Sequence, residues 1–405
     1  SDAINLVVTD TTAPASPSIS INSGAGNTTF SKVTLTISAT DALGVTGYYA
    51  SESSTSPANN ASGWTSVTSS TNYSDNVSFT LTSAQTSGEI SRVVYVWFKD
   101  GSGNVSSSNS DTITLRTLVA TQISAGLEHT CALDNESSVY CWGKATYGKL
   151  GNGSGTDQNS PVLVDNISNA ASVSSGDVHT CAVLSTGSVK CWGGNQYGQL
   201  GDGTTSSQTT PVLVSGIDNA TSVSLGNSYT CALLSGGTVK CWGAGPAGQL
   251  GNGSNSNQAA PVFVSGIDNA TSISSGKSHA CAVIADGTVN CWGQNESGNL
   301  GNTSLTNNVS NTPVVVSGIN PTGSSSVPRA TSVSAGESGT CAVIWGGSSG
   351  TVSCWGDGNF GANLTQSAAS STISGITSAT SISAKYDQKC ILLSVGSTSG
   401  CSANS

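Results

Sequence analysis

Cysteine returns in this chain at a fixed interval, and that interval restricts the possible folds more than any other feature. Cys131, Cys181, Cys231 and Cys281 are spaced by fifty residues, and so are Cys141, Cys191, Cys241 and Cys291. A fifth pair, Cys341 and Cys354, follows an insertion rich in Ser, Gly and Pro around Pro321 to Pro328. A degenerate sixth, Cys390 and Cys401, lies near the C-terminus. Self-similarity at such a period means that one supersecondary unit is stacked on copies of itself. No cysteine precedes Cys131, so a second, unrelated region occupies the N-terminal part, with a boundary near residues 116 to 120.

Within one unit, SVSLGNSYTCALL reads as an alternating strand, a glycine turn and a second strand. SGG then turns the chain into TVKCWG, a third strand. The Gly-rich GPAGQLGNG is a bend, and PVFVSGI is a short fourth strand begun by proline, where a missing N–H does least harm. Four antiparallel strands per repeat describe a propeller blade. A solenoid is the alternative, but antiparallel hairpins favour the radial arrangement. With Gly, Ser, Thr and Asn dominant and 8% of residues charged, the composition suits strands and tight turns and offers little to amphipathic helices. The fold class is therefore all-β.

A tight hairpin brings residues i and i+10 face to face, with Cα atoms about 4.5 to 5.5 Å apart. That separation is one a disulfide accepts. The predicted pairs are Cys131–Cys141, Cys181–Cys191, Cys231–Cys241, Cys281–Cys291, Cys341–Cys354 and Cys390–Cys401, which uses every cysteine. Zinc would call for C-x2-C knuckles or histidine at ligand spacing, and redox chemistry for C-x-x-C at a helix start. Neither pattern occurs. Disulfides persist outside the cytosol, so the expectation is an exported protein.

The recurring set H-T-C-A-[LV], V-K-C-W-G, Y-G-Q-L-G-D-G and P-V-L-V resembles the repeat of the regulator of chromosome condensation family, over residues 118–405. The resemblance implies a β-propeller, usually of seven blades. Only six units are visible here, and the paired cysteines are an addition. The sixth unit stops without a bend or fourth strand, so the ring is one strand short unless the segment from Thr112 to Ala120 or a partner closes it. The family's eukaryotic namesake acts in nucleotide exchange on a small GTPase, and a bacterial relative inhibits β-lactamase. Both imply a propeller face that grips a protein, although fold alone does not transfer an activity.

Residues 10–117 resemble a bacterial immunoglobulin-like β-sandwich. DTTAP opens it, Val33, Leu35 and Ile37 alternate inward, Val77, Phe79 and Leu81 form a second core strand, and VVYVWFKDGSGNVS carries a late hairpin. SDAINL at residues 1–6 nearly duplicates SDTITL at 110–115, the last strand of that sandwich. Residues 1–9 thus read as the end of a preceding, similar domain in a cut or processed chain, which fits the absence of methionine at position 1. The rival reading makes this strand a donor to a neighbouring molecule's sheet edge.

Twelve basic against twenty-two acidic residues, a net charge of −10, and no basic cluster argue against nucleic acid as a partner. No apolar run reaches the length of a membrane span. The three histidines, His129, His179 and His279, share one position in the repeat, but Tyr229, Gly339 and Gln388 replace them in the other units. They read as structural residues flanking a turn; the alternative is three imidazoles converging on a metal. GAGPAG at 243–248 matches a phosphate-cradling pattern but precedes no helix, and its counterparts read GGNQYG and GKATYG. DGSGN at 100–104 begins like a calcium loop but lacks the later Glu and falls at a hairpin turn.

No nucleophile–base constellation can be assembled, so no catalytic residue, cofactor or metal is expected. The Trp of each C-W-G recurs with the period and so marks packing between blades. Aromatics that break the period, Tyr147, Tyr197, Trp345 and Phe360, are the candidate partner-binding residues, placed in loops. The expected function is a non-catalytic adhesion or protein-interaction module on a bacterial cell surface, contacting protein or glycan. The alternatives are a subunit or decoration of an extracellular filament, joined to other copies through the N-terminal strand, and a glycan-binding protein or enzyme.

Overall fold

The computed structural model describes the chain apart from residues 1–9, 29–30, 83–87, 118, 320–328, 346–349, 358–366, 373–375, 377, 386–387, 394–397 and 403–405. The backbone alone is described at 88, 117, 367–372, 385, 388–393 and 398–402. The chain divides into two compact units, residues 1–119 and 120–405.

The first unit contains β1 (Ala15–Ile21), β2 (Asn27–Thr28), β3 (Lys32–Ser51), β4 (Thr65–Thr80), β5 (Gly88–Asp100) and β6 (Asn109–Thr117). They form one six-stranded sheet ordered β1-β3-β5-β6-β2, with β4 also paired to β3. The long strand β3 makes this possible by changing partners part-way. Before Thr40 it pairs with β1, and from Val45 it pairs with β5. Between these registers the Asp41 carboxylate accepts the backbone N–H groups of Leu43 and Gly44, at 2.9 and 2.8 Å, and so fixes the irregular step. Strand alternation places Val33, Leu35, Ile37, Val94, Val96 and Ile113 in a single core. Leu81 is buried there as well, whereas Val77 and Phe79 are only partly buried at its edge. Residues 112–117 belong to β6 and pair with β5.

The second unit opens with β7 (Ala120–Ala125), β8 (His129–Asp134), β9 (Val139–Gly143) and β10 (Gln158–Leu163), an antiparallel four-stranded blade. Four further four-stranded blades span 170–213, 220–263, 270–315 and 329–372, and a three-stranded sheet spans 379–402. In each of the first four blades the fourth strand begins earlier than its proline, whereas the fifth blade's fourth strand, Ser367–Thr372, has none. Pairing starts at Gln158, Gln208 and Gln258, and a register shift carries it past Pro161, Pro211 and Pro261. A bulge on an edge strand accommodates the missing N–H.

Each core straddles two neighbours. Cys181, Val189, Cys191 and Leu200 of blade 2, for example, pack with Ala220, Ala232 and Trp242 of blade 3. The Trp of C-W-G fills that junction, and Trp192, Trp242, Trp292 and Trp355 are fully buried. The glycine of L-G is required for the same reason. At Gly201, where φ is +70°, a Cβ would stand 2.6 Å from the Trp242 indole nitrogen.

Candidate functional site: the loop face of the propeller

Within each hairpin of blades 1 to 5 the two cysteines are direct cross-strand partners. The disulfides Cys131–Cys141, Cys181–Cys191, Cys231–Cys241, Cys281–Cys291 and Cys341–Cys354 have Cα atoms 4.0 to 4.1 Å apart, closer than the pairing distance expected from sequence. The side chains of Cys390 and Cys401 lie outside the described residues. All the sulfurs of the five bridges are buried, which makes them staples and not reagents.

The histidines do not converge on one point; each closes a different blade junction. His129, His179 and His279 place Nε2 at 2.7, 2.8 and 2.8 Å from the hydroxyls of Thr180, Thr230 and Thr340 in the following blade. Each hydroxyl in turn donates to a carbonyl in the preceding blade's bend, Lys149, Gln199 or Asn299. The Thr proton is thereby committed, so Nε2 carries the hydrogen and donates. Burial pushes His279 down to about 4, so it is neutral at physiological pH. Tyr229, which occupies the same repeat position in blade 3, donates instead to the carbonyls of Gly276 and His279, and burial raises its phenol.

The carbonyls of Lys149, Gln199 and Asn299 take a second donor, and that of Gln249, where Ala280 replaces the Thr, takes the same indole donor alone. Trp192, Trp242, Trp292 and Trp355 donate through Nε1 to Lys149, Gln199, Gln249 and Asn299 at 2.9 to 3.1 Å. Nearer the axis, the N–H groups of Ser175, Ser275, Ala335 and Ala384 bond to the hydroxyls of Ser124, Ser224, Ser274 and Ser334 of the blade before. Sequence reasoning marked the Trp as junction packing but missed this latch. Its signal was the recurring H-T-C together with the Gln, Asn or Lys of the bend.

These junctions leave a central cavity of about 340 Å³, lined largely by inner-strand serines such as Ser124, Ser174, Ser224 and Ser274. The turns between first and second strands border it and carry Asp177, Asn227, Lys277 and Glu337. Lys277 and Glu337 form an ion pair across blades 4 and 5. Because the strands alternate direction, the bends between third and fourth strands emerge on this same face. Tyr147 and Tyr197, at equivalent places on adjacent bends, are 47% and 43% exposed. Trp345 is 42% exposed, but it ends a strand (Gly339–Trp345) at the hairpin on the opposite face and does not sit in a loop. The aromatic set is thus divided between two faces, and Phe360 lies outside the described residues.

Tyr147 has a further peculiarity. In blades 2 to 4 the bend's Gln199, Gln249 or Asn299 side chain accepts the N–H of Tyr197, Ala247 or Ser297. Lys149 cannot accept, and its ammonium instead reaches Glu128 at 3.4 Å. The bend closes as a 3-10 turn with Tyr147 at φ +64°, a left-handed conformation that a tyrosine seldom adopts.

In the first unit, carboxylate oxygens of Asp10, Asp41 and Asp100 lie within 4.8 Å of one another. Oxygen ligands of this kind suit a hard cation. Each, however, also fastens its own turn: Asp10 takes the hydroxyl and N–H of Thr12, which lowers its pKa, and Asp100 takes the N–H groups of Ser102 and Asn104. Turn fastening accounts for the cluster without an ion.

The regulator of chromosome condensation (RCC1) repeat matches residues 136–183, 186–233, 236–283 and 286–343. A second description of the same repeat, shifted in phase, matches 120–149, 170–199, 220–249 and 270–299. The second unit belongs to the RCC1-repeat family. In the first phase, each RCC1 repeat spans the last two strands of one blade and the first two of the next, so the sequence repeat bridges a junction. Among solved structures, yeast RCC1 (Prp20) bound to Kap60 is 22% identical, with a TM-score of 0.58 over 68% of either chain. Prp20p from Saccharomyces cerevisiae, described with its binding to Gsp1p and histones, is 21% identical, with a TM-score of 0.56 over 67% of this chain and 69% of that one. Human WBSCR16 is 16% identical, with a TM-score of 0.60 over 86% of this chain and 99% of its own. At such identities the likeness establishes the RCC1-type β-propeller fold. No curated protein matches the sequence.

Proposed function

We propose that this chain is a non-catalytic protein-binding module of a bacterial cell surface, in which a six-unit, disulfide-stapled RCC1-type propeller presents its loop face to a protein partner. Residues 10–117 serve as an immunoglobulin-like stalk. The observation that carries the reading is the pairing of exposed Tyr147 and Tyr197 on adjacent bends of one rigid face. Exposed tyrosines on a preformed scaffold supply contact area at low entropic cost. The titratable groups that suit catalysis are spent on structure, since the histidines and Tyr229 are locked in blade junctions. The five bridges require an oxidising compartment, which supports a place outside the cytosol.

The test is binding of fluorescently labelled chain to intact bacterial cells. Protease shaving of the cells should abolish it, and the double variant Tyr147→Ala/Tyr197→Ala should weaken it by about tenfold or more. Trp345→Ala, on the opposite face, should leave it unchanged. Binding that resists protease but is lost after periodate oxidation of surface sugars moves the assignment to glycan recognition. Self-association of the chain under the same conditions moves it to a filament subunit.

A further inference from the structure

On the innermost strand of each of the first five units a serine stands two residues before the turn glycine, as Ser124, Ser174, Ser224, Ser274 and Ser334. The first four line the central cavity of about 340 Å³. Their hydrogen bonds leave them as donors. The Oγ atoms of Ser124, Ser224 and Ser274 each accept a backbone N–H of the following blade, at 2.8 to 2.9 Å, and their hydroxyl protons have no acceptor among the described residues. Ser174 makes no side-chain hydrogen bond to any described residue, so its hydroxyl is wholly unspent. Between the serines the wall is small, except in blade 3, where Leu225 replaces the Ser or Ala of the other units. At the mouth stand Asp177, Asn227, Lys277 and Glu337, with the Lys277 ammonium tied to Glu337.

We infer that the central cavity is a binding site for a neutral monosaccharide. The charge and hydrogen-bonding capacity of the lining select this class. An anion would meet two carboxylates against one ammonium, and that ammonium is already paired. A cation brings only donors to a wall whose unspent groups are donors too. A sugar satisfies both sides, because its hydroxyl oxygens accept from the serines while its hydroxyl protons go to the Asp177 carboxylate and the Asn227 side-chain carbonyl. Leu225 supplies apolar surface for the C–H face of the ring. The cavity volume of about 340 Å³ lies at the small end of the roughly 300 to 1,000 Å³ of small-molecule sites, which suits a single sugar ring. Neither Tyr147 nor Tyr197 lines this cavity, so the sugar site is separate from the surface proposed for the protein partner.

The test is ligand-observed saturation-transfer NMR on the full chain, with glucose, galactose, mannose and N-acetylglucosamine as probes. At least one should bind with a dissociation constant on the order of 1 mM, the strength expected of about a dozen non-hydrogen atoms. Ser174→Leu takes up cavity space and removes a hydroxyl on which no described neighbour depends, so it should abolish the transfer. Ser174→Ala, which deletes one hydrogen bond, should weaken binding about three- to tenfold. Tyr147→Ala/Tyr197→Ala should leave sugar binding unchanged while weakening the protein partner, so the two readings fail separately. Near-UV circular dichroism reports whether Ser174→Leu keeps its tryptophans packed; where it does not, Ser174→Ala decides. No transfer from any of the four probes at about tenfold higher concentration overturns the inference. So does transfer that survives both Ser174 variants, which puts the sugar elsewhere, and so does displacement of the sugar by acetate or methylguanidinium, which makes the ligand a charged one.

Discussion

The two units achieve stability in opposite ways. The first, without cysteine, concentrates its burial in one core, where Leu35, Ile37, Val96, Phe98 and Ile113 meet. The second distributes it over a series of small cores, each shared by two neighbours and each backed by a hairpin disulfide. A single core rises or falls as a whole. A chain of junctions is only as sound as its bridges and latches, and its stability sums nearest-neighbour terms.

Reduction of the disulfides should separate the two units most strongly. Each bridge closes a loop of about ten residues, worth about 2 to 3 kcal/mol in the chain-entropy model, so losing all five removes on the order of 10 kcal/mol. Calorimetry in strong reductant with mild denaturant should show the transition of the second unit collapse while that of the first stays in place. A transition of the first unit that moves equally would break the comparison.

Next in size are the tryptophans. Trp242→Ala, at a sealed junction, should cost about 3 to 5 kcal/mol, while Trp142→Ala, where the indole is only half-buried, should cost less than half of that. Urea unfolding of the two variants measures the difference, and equal losses would mean that the two indoles are packed alike.

Acid should also act on the second unit. His279 is held near 4, below its ordinary 6.5, because its burial disfavours the charged form. A depressed histidine contributes stability fully above pH 6.5 and loses it as pH falls through 4, a loss of about 3 kcal/mol for this residue alone. His279→Gln should flatten that part of the pH–stability curve, and the sheet of the first unit should show no matching dependence.

The smallest effect sharpens a contrast inside the propeller. Lys149→Gln gives the first bend the acceptor its neighbours have, so Tyr147 can leave φ +64° and the second unit should gain about 1 kcal/mol. No gain would mean that the bend is set by other contacts. Any loss of partner binding in the same variant would assign the Tyr147 conformation to recognition.

Periodicity made much of this legible. Alternation around each cysteine gave the hairpins, the i+10 spacing gave their register, and Gly and Pro marked bends and edges. The strand pattern VTLTI disclosed which residues of β3 face inward. What escaped was long-range and polar. Nothing local says that Thr180 will share the Lys149 carbonyl with Trp192, because the two partners lie 31 and 43 residues away and meet only when blades stack. The meeting of Asp10, Asp41 and Asp100 was equally hidden, since each reads alone as a turn former. Trp345 was misplaced in a loop because a Gly- and Ser-rich run follows it, whereas its strand extends through it to pair with Arg329.

Disulfide mapping under non-reducing conditions tests the central claim most directly. Proteolysis between blades followed by mass spectrometry should return Cys131 linked to Cys141, Cys181 to Cys191, Cys231 to Cys241, Cys281 to Cys291 and Cys341 to Cys354, with no link crossing from one repeat to another. Free thiols at these positions, or bridges joining different repeats, would contradict the stapled-blade architecture and the oxidising compartment inferred from it.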